Sequence, residues 1–509
     1  MPSYLTPGVY VEEVQSGARP IEGVGTAVAA FVGLAGTGPF HQPTLVTSWD
    51  QYTQHFGGFT EGLHLAHAVY GYFANGGGSA YAVRVGGPAS GGEPAAELLP
   101  PPVATAGFLF SALPGAGADV SVEIADSETE NAPDDRFRVV VRKGTKVVET
   151  LEATVRKNAK GYLLTQARES KLIEVTEQPG VAQRRPENQT LALAAAPAPS
   201  PVAGSAAVGP AEFIGDPAAR TGCAGLEAID EITMVAVPDL MSAFRRGDLD
   251  AEGVKTVQLA VLAHCEQMGD RVAVLDTPPA LSAQQARHWR SEDAGFDSRY
   301  GTAYYPWIKV FDPATGRNTM VPPSGHVAGV WARSDGERGV HKAPANEVIR
   351  GAVDLEIRLS RGEQDLLNPI GLNCIRTFPG RGIRIWGART LSSDPAWRYL
   401  NVRRLFNYLE ESILLGTQWV VFEPNDDRLW ASIRRNVTAF LTEEWRRGAL
   451  FGQTVTEAFY VKCDRDNNPQ ESIDLGQVVC EIGVAPVKPA EFVVFRLSQF
   501  SDSTSLVSE

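Results

Sequence analysis

Thr26-Ala-Val-Ala-Ala-Phe-Val-Gly-Leu-Ala35 is an apolar run ending in a Gly-rich turn, and it reads as a buried strand. A helical pattern follows over 63–73, carried by Leu63, Ala66, His67, Tyr70 and Phe73 and stopped by Asn75-Gly-Gly-Gly78. Ala80-Tyr-Ala-Val-Arg-Val85 is then a second strand. Strand, helix, strand favours parallel pairing, and with it an α/β body. Downstream the rhythm resumes at Ile232-Thr-Met-Val-Ala-Val237. Val254, Val257, Val261, Cys265 and Met268 then share one helical face, and Arg271-Val-Ala-Val-Leu-Asp276 is the next strand. A single aromatic-rich strand is expected over 300–311, and a helix near 325–333 after Pro322-Pro323.

Between these blocks the chain changes character. Residues 86–102 are rich in Gly, Pro and Ala, like a linker. Val120-Ser-Val-Glu-Ile124 and Phe137-Arg-Val-Val-Val-Arg142 alternate with period two, and Lys143-Gly144-Thr145 turns the latter into a run over 146–151. A low-complexity stretch, 194–204, closes the segment. An inserted all-β domain over about 103–190 is therefore expected. From about residue 361 a last domain is expected. Runs over 371–378 and 383–388 flank the turn Pro379-Gly-Arg-Gly382. Helices follow near 397–415 and 427–447, with a strand over 418–422 between them and strands near 457–463 and 477–484.

Both ends read as β-rich runs with no hairpin mate. Residues 2–14 are broken by Pro7 and Gly8, and residues 487–500 are set off by Pro486 and Pro489. Unpaired backbone groups of this kind dock either on their own domain or on the sheet edge of another chain.

Composition narrows the function. A net charge of −14 argues against general nucleic-acid binding. Five cysteines, at 223, 265, 374, 463 and 480, include no CxxC pair and read as free thiols in a reducing cytoplasm. No secretory signal and no apolar run of membrane length is read, so no direct membrane insertion is expected. Gly33-Leu-Ala-Gly-Thr-Gly38 lacks dinucleotide-loop spacing, and no phosphate-binding GxxxxGK[ST] occurs. Asp464-Arg-Asp-Asn-Asn468 has Pro469 and Leu475 where a calcium loop needs Gly and Glu. His64 and His67 lack metal partners nearby, and Asp276, without a paired acid, reads as a cap or turn residue. No catalytic, cofactor or metal site is read, and the chain is not expected to be an enzyme.

The opening Tyr4-Leu-Thr-Pro-Gly-Val-Tyr-Val-Glu-Glu13 and the closing Gly483-Val-Ala-Pro-Val-Lys-Pro-Ala-Glu-Phe-Val-Val-Phe-Arg496 resemble the two ends of contractile tail sheath proteins. Phe31-Val-Gly-Leu-Ala-Gly-Thr-Gly-Pro39, Asn75-Gly-Gly-Gly-Ser-Ala-Tyr-Ala-Val-Arg-Val85, Tyr304-Tyr-Pro-Trp-Ile-Lys309 and Ala458-Phe-Tyr-Val-Lys-Cys463 agree with it. The resemblance fails only over about 100–205. It implies a homo-polymer of stacked hexameric rings around an inner tube protein, with baseplate and terminator or cap proteins at the ends, and no nucleic-acid partner. Terminal arms would complete a sheet in neighbouring subunits, through Tyr4, Val9, Tyr10 and Val11 at one end and Phe492, Val493, Val494 and Phe495 at the other. It also implies assembly in the bacterial cytoplasm, within a phage virion or a tail-like particle that is retained or released by lysis.

The expectation is thus an α/β (α+β) multidomain chain: an arm over 1–20, a split middle domain over 21–102 and 205–360, an insertion over 103–204, a C-terminal domain over 361–488 and an arm over 489–509. On the helix at 427–447, Trp430, Ile433, Val437, Phe440 and Leu441 gather on one side, and Arg428, Arg435 and Arg446 lie opposite. This stripe, about 27 Å long, reads either as a solvated face paired to Glu443 or Glu444, or as a tube-facing surface. A surface adhesin or glycan-binding role for the insertion is the alternative function.

Overall fold

The computed structural model describes residues 20–86 and 208–495 throughout, and residues 103–192 apart from short stretches. Two compact units divide the chain, one formed by 1–86 with 207–509 and the other by 87–206.

The larger unit is built on a nine-stranded mixed sheet. Its body strands are β1 (Val28–Gly33), β2 (Thr44–Val46), β3 (Ser79–Arg84), β4 (Met234–Ala236), β5 (Val272–Asp276) and β6 (Gly301–Tyr305). After them come β7 (Ile308–Asp312), β8 (Arg317–Val321), β9 (Glu347–Val348), β10 (Ala352–Leu355), β11 (Leu372–Phe378) and β12 (Gly382–Ile385). The sheet order is β9-β12-β11-β6-β5-β4-β1-β3-β2, parallel from β11 through β3 and antiparallel at both margins.

Alternation along β1 shows where the core sits. Ala30 and Val32 enter one buried cluster, while Ala29 and Phe31 enter another on the opposite face. A sheet covered on both sides needs near-continuous apolar strands, which is why Val28–Gly33 carries no charge. Helix α2 (Ala251–Met268) covers the first face with Val254, Val257, Val261 and Cys265. Helices α1 (Leu65–Asn75) and α3 (Ser324–Arg338) cover the second and cross closely. A Cβ on Gly325 would stand 2.3 Å from Ala68, and one on Gly329 would stand 2.4 Å from the Tyr72 carbonyl. Larger residues there would force these helices apart.

Three local expectations are corrected. The single strand over 300–311 is two: β6 lies in the main sheet, whereas β7 joins β8 and β10 in a three-stranded antiparallel sheet. Pro306 has no N–H for a ladder, so the chain leaves one sheet there for the other. Residues 361–391 belong to the body and not to a separate last domain, because β11 pairs parallel to β6. No strand forms over 418–422: Gln418–Val420 is a 3-10 turn, and Val421 and Phe422 project into solvent without a sheet edge to join.

The smaller unit contains a four-stranded antiparallel sheet, in the order Gln189–Ala192, Val120–Asp126, Arg136–Lys143, Lys146–Thr154. A three-stranded sheet is formed by Val103–Thr105, Phe108–Ala112 and Ile173–Glu177. Phe108, Phe110, Val122, Phe137 and Val139 share its core. It is not wholly β, since Leu163–Ala167 is a short helix whose Leu163 is buried.

Candidate assembly interface

Beyond the body come helices α4 (Leu400–Thr417) and α5 (Asp427–Arg446), followed by the hairpin strands β13 (Phe459–Lys462) and β14 (Glu481–Val484). Leu405, Tyr408 and Leu409 of α4 pack with Leu429, Trp430, Ile433, Val437, Phe440 and Leu441 of α5, and Phe459 closes this cluster from β13. Asp426 caps α5, its carboxylate accepting the backbone N–H groups of Arg428 and Leu429. Among the described residues the hairpin has two strands, and two strands are marginal without further partners.

The C-terminal run leaves this region from a charged clamp. Glu491 accepts hydrogen bonds from Arg389 at 2.6 and 2.9 Å, from Asn368 at 2.8 Å and from the Tyr399 hydroxyl at 3.3 Å. Burial pushes the Glu491 carboxyl upward, but these bonds and the Arg389 charge together hold it below the ordinary value. The four residues after it, Phe492, Val493, Val494 and Phe495, are 67–85% exposed and pair with no strand among the described residues. Four consecutive large apolar residues in water leave their surface uncovered. Tyr4, Val9, Tyr10 and Val11 lie outside the described residues.

The root of the N-terminal run is fastened along α4. Ile21 is buried in the cluster of α4 and α5 and fits against Gly416, where a Cβ would stand 2.7 Å from Ile21. Val24 donates to the Ser412 hydroxyl at 3.1 Å. Thr26 donates through its hydroxyl to Asp335 at 2.7 Å and accepts from Arg404 through its carbonyl at 3.0 Å. Arg404 and Asp335 form a two-point ion pair at 2.5 and 2.9 Å, with side chains only 3% and 4% exposed.

Arg428, Arg435 and Arg446 lie exposed on α5. Glu443 and Glu444, the partners expected for a solvated face, are instead engaged by Arg447 at 3.5 and 2.9 Å. Arg435 reaches only the Ser432 hydroxyl, at 3.5 Å. Among the described residues, none of the three arginines forms an ion pair.

The residues weighed for chemistry serve the fold. Asp276 accepts the N–H and hydroxyl of Ser324 at 2.9 and 2.6 Å, fixing the start of α3, and burial pushes its carboxyl up to about 7. His64 stands edge-on to Trp307, and burial lowers it to about 3. His67 lies 3.9 Å from Asp312. Among the described residues no cluster of three His, Cys, Asp or Glu could hold a metal ion. Sequence reasoning missed Asp239. This buried carboxylate accepts N–H groups from Leu34, His64 and Leu65 at 2.6–2.9 Å, together with the Ser242 hydroxyl. It thus fills the end of β1 and the start of α1, where a dinucleotide fold would seat a phosphate, and its charge would repel one. Its only sequence signal is one Asp ahead of a short helix.

Comparison with known proteins follows the same division. Residues 219–391 match the family described as phage tail sheath protein central domain, and residues 392–500 match the phage tail sheath C-terminal domain. The tail sheath protein of Vibrio phage KVP40 is 33% identical over 190 residues, which is 36% of this chain and 27% of that protein. The tail sheath protein of Enterobacteria phage T4 is 26% identical over 276 residues, 50% of this chain and 41% of that one. The chain therefore spans less than half of either relative. A chain in the 6-fold symmetrised anti-feeding prophage baseplate structure is 25% identical, covers 98% of this chain and 99% of its own length, and superposes with a TM-score of 0.57. The sheath of an extracellular contractile injection system, PVC, in its contracted state shares the fold at a TM-score of 0.59 and 23% identity, covering 98% of this chain and 99% of that one. No support emerges for a glycan-binding adhesin.

Proposed function

The chain belongs to the phage tail sheath family, a structural and not an enzymatic one, and on that premise we propose that it polymerises as stacked six-membered rings around an inner tube and contracts to drive that tube through a target envelope. The observation that carries this reading is the pairing of an incomplete two-stranded hairpin with an exposed apolar tail on one subunit. Phe492, Val493, Val494 and Phe495 of one copy, with Tyr4, Val9, Tyr10 and Val11 of another, would add strands to the β13–β14 hairpin of a neighbour. Main-chain hydrogen bonds would then persist while rings rotate and side-chain contacts are exchanged. The unpaired stripe of Arg428, Arg435 and Arg446 would face acidic side chains on the tube. Exposed pairs of about 0–1 kcal/mol each would align the sheath and still release it. Baseplate and cap proteins would bound the polymer, assembled in the bacterial cytoplasm.

Deleting residues 1–14, or those after 491, should leave a folded subunit that no longer forms long sheaths under the electron microscope. Full-length sheaths from either truncation would remove that arm from the scheme. Reversing Arg428, Arg435 and Arg446 to Glu should block extended sheath on the tube while contracted, tube-free sheath still forms. Normal extended particles would return the stripe to a solvated face.

A further inference from the structure

The hairpin ladder runs Phe459–Val484, Tyr460–Gly483, Val461–Ile482 and Lys462–Glu481. One step further places Cys463 opposite Cys480. Directly opposed residues of an antiparallel pair point to the same face, and successive pairs alternate. Phe459, Val461, Ile482 and Val484 all face the cluster of α4 and α5, whereas Tyr460 and Glu481 are exposed. The next pair must turn inward again, and both cysteines do: Cys463 is in that cluster and Cys480 packs against it. Asn468 pins the strands together just beyond, donating to the carbonyls of Asp464 and Val479 at 3.0 and 2.9 Å and accepting the Val479 N–H at 2.7 Å.

We propose that Cys463 and Cys480 are a dithiol that closes to a disulfide at the base of the 463–480 loop when a small-molecule disulfide is supplied. Opposed antiparallel residues have Cα atoms about 4.5–5.5 Å apart, within the span a disulfide bridges. Both are free thiols in this structure. Their surroundings set the order of events. Cys480 is partly exposed and open to the co-reactant, whereas Cys463 is wholly buried. The Cys480 thiolate attacks one sulfur of the small disulfide, forming a mixed disulfide and expelling one small thiolate, which takes a proton. The Cys463 thiolate then attacks the Cys480 sulfur and expels the second small thiol. Two protein thiols are oxidised and one small disulfide is reduced to two thiols. Burial pushes the Cys480 thiol up to about 12 and raises Cys463 as well, while the guanidinium of Arg434, bonded to the Cys463 carbonyl at 2.9 Å, acts against this rise. Exchange is therefore slow at neutral pH and faster in alkali, and the pair stays reduced in a reducing compartment.

The test uses the folded full-length chain and oxidised glutathione at mildly alkaline pH, followed by alkylation under denaturing conditions and peptide mass spectrometry. The expected product joins the Cys463 and Cys480 peptides, about 2 Da lighter than the two thiols, with Cys223, Cys265 and Cys374 alkylated. Cys463→Ser should stop at a stable glutathione adduct on Cys480. Should that variant fail to fold by circular dichroism, the wild-type product alone decides. Complete alkylation of Cys463 and Cys480 in oxidised wild type, or a glutathione adduct that never resolves, overturns the proposal. The inference concerns the single subunit and stands whether or not the chain polymerises.

Discussion

The body sheet and the C-terminal hairpin answer opposite questions with the same chain. In the body, the central strands β1, β4, β5 and β6 are buried from both sides, and Asp239 accepts the Leu34 N–H just after β1 together with the N–H groups that open α1. The hairpin has two strands among the described residues and Phe492–Phe495 lie exposed, although the roots of both termini are tightly held. The first region is complete as a single chain. The second is organised up to a boundary and then left open, which is how a surface meant for other chains differs from a poorly folded one.

The sharpest way to break this comparison is at Arg404. Arg404→Ala strands Asp335 as a buried, unpaired carboxylate and should cost about 3–5 kcal/mol in urea denaturation. Changing Phe492, Val493, Val494 and Phe495 together to Ser should alter stability by no more than about 0.5 kcal/mol, because they cover nothing in the monomer. Equal losses from the two would erase the contrast. A smaller effect is expected at the clamp: Arg389→Ala should cost about 1–3 kcal/mol locally, read as faster amide exchange over 487–495 with the body unchanged. Because the Glu491 carboxyl is held below its ordinary value, the clamp should act fully above about pH 4.3 and fail as pH falls further.

Asp276 has the opposite sign. Its folded pKa, about 7, lies above the unfolded one, so its contribution is fully present below the unfolded value and is lost as pH rises through 7. Melting temperature should decline between about pH 4 and 7 in wild type and less so in Asp276→Asn. The smallest effect is expected at Phe422, which is fully exposed at a φ of 69°. Phe422→Gly should stabilise the subunit by about 1 kcal/mol, since it relieves left-handed backbone and removes no contact. A loss in chemical denaturation would show that Phe422 supports the fold.

Short-range signals made much of this legible in the sequence. The helix at 427–447 was visible from its apolar spacing and is found at Asp427–Arg446. The turn Pro379-Gly-Arg-Gly382 announced the pairing of β11 with β12. What escaped was set by distant partners. The parallel contact of β6 with β11 joins Ala303 to Leu372, and nothing local marks it, so the limit of the body was placed 30 residues too early. Val421 and Phe422 have strand-forming side chains but no available edge. At the interface, the stripe of Arg428, Arg435 and Arg446 was visible from helical spacing. That Arg447 would claim Glu443 and Glu444 depended on the final turn of α5.

The junction of Thr26, Asp335 and Arg404 has a mechanical consequence. It ties the strap ahead of β1, the body helix α3 and the helix α4 at one largely buried point. In the proposed sheath, work drawn from contacts with neighbouring subunits would have to cross from the rim of each subunit to its centre. A hinge there would dissipate it as bending. A buried two-point ion pair with no slack resists shear, so a push on α4 should reach the nine-stranded sheet as torque and turn the subunit as one lever.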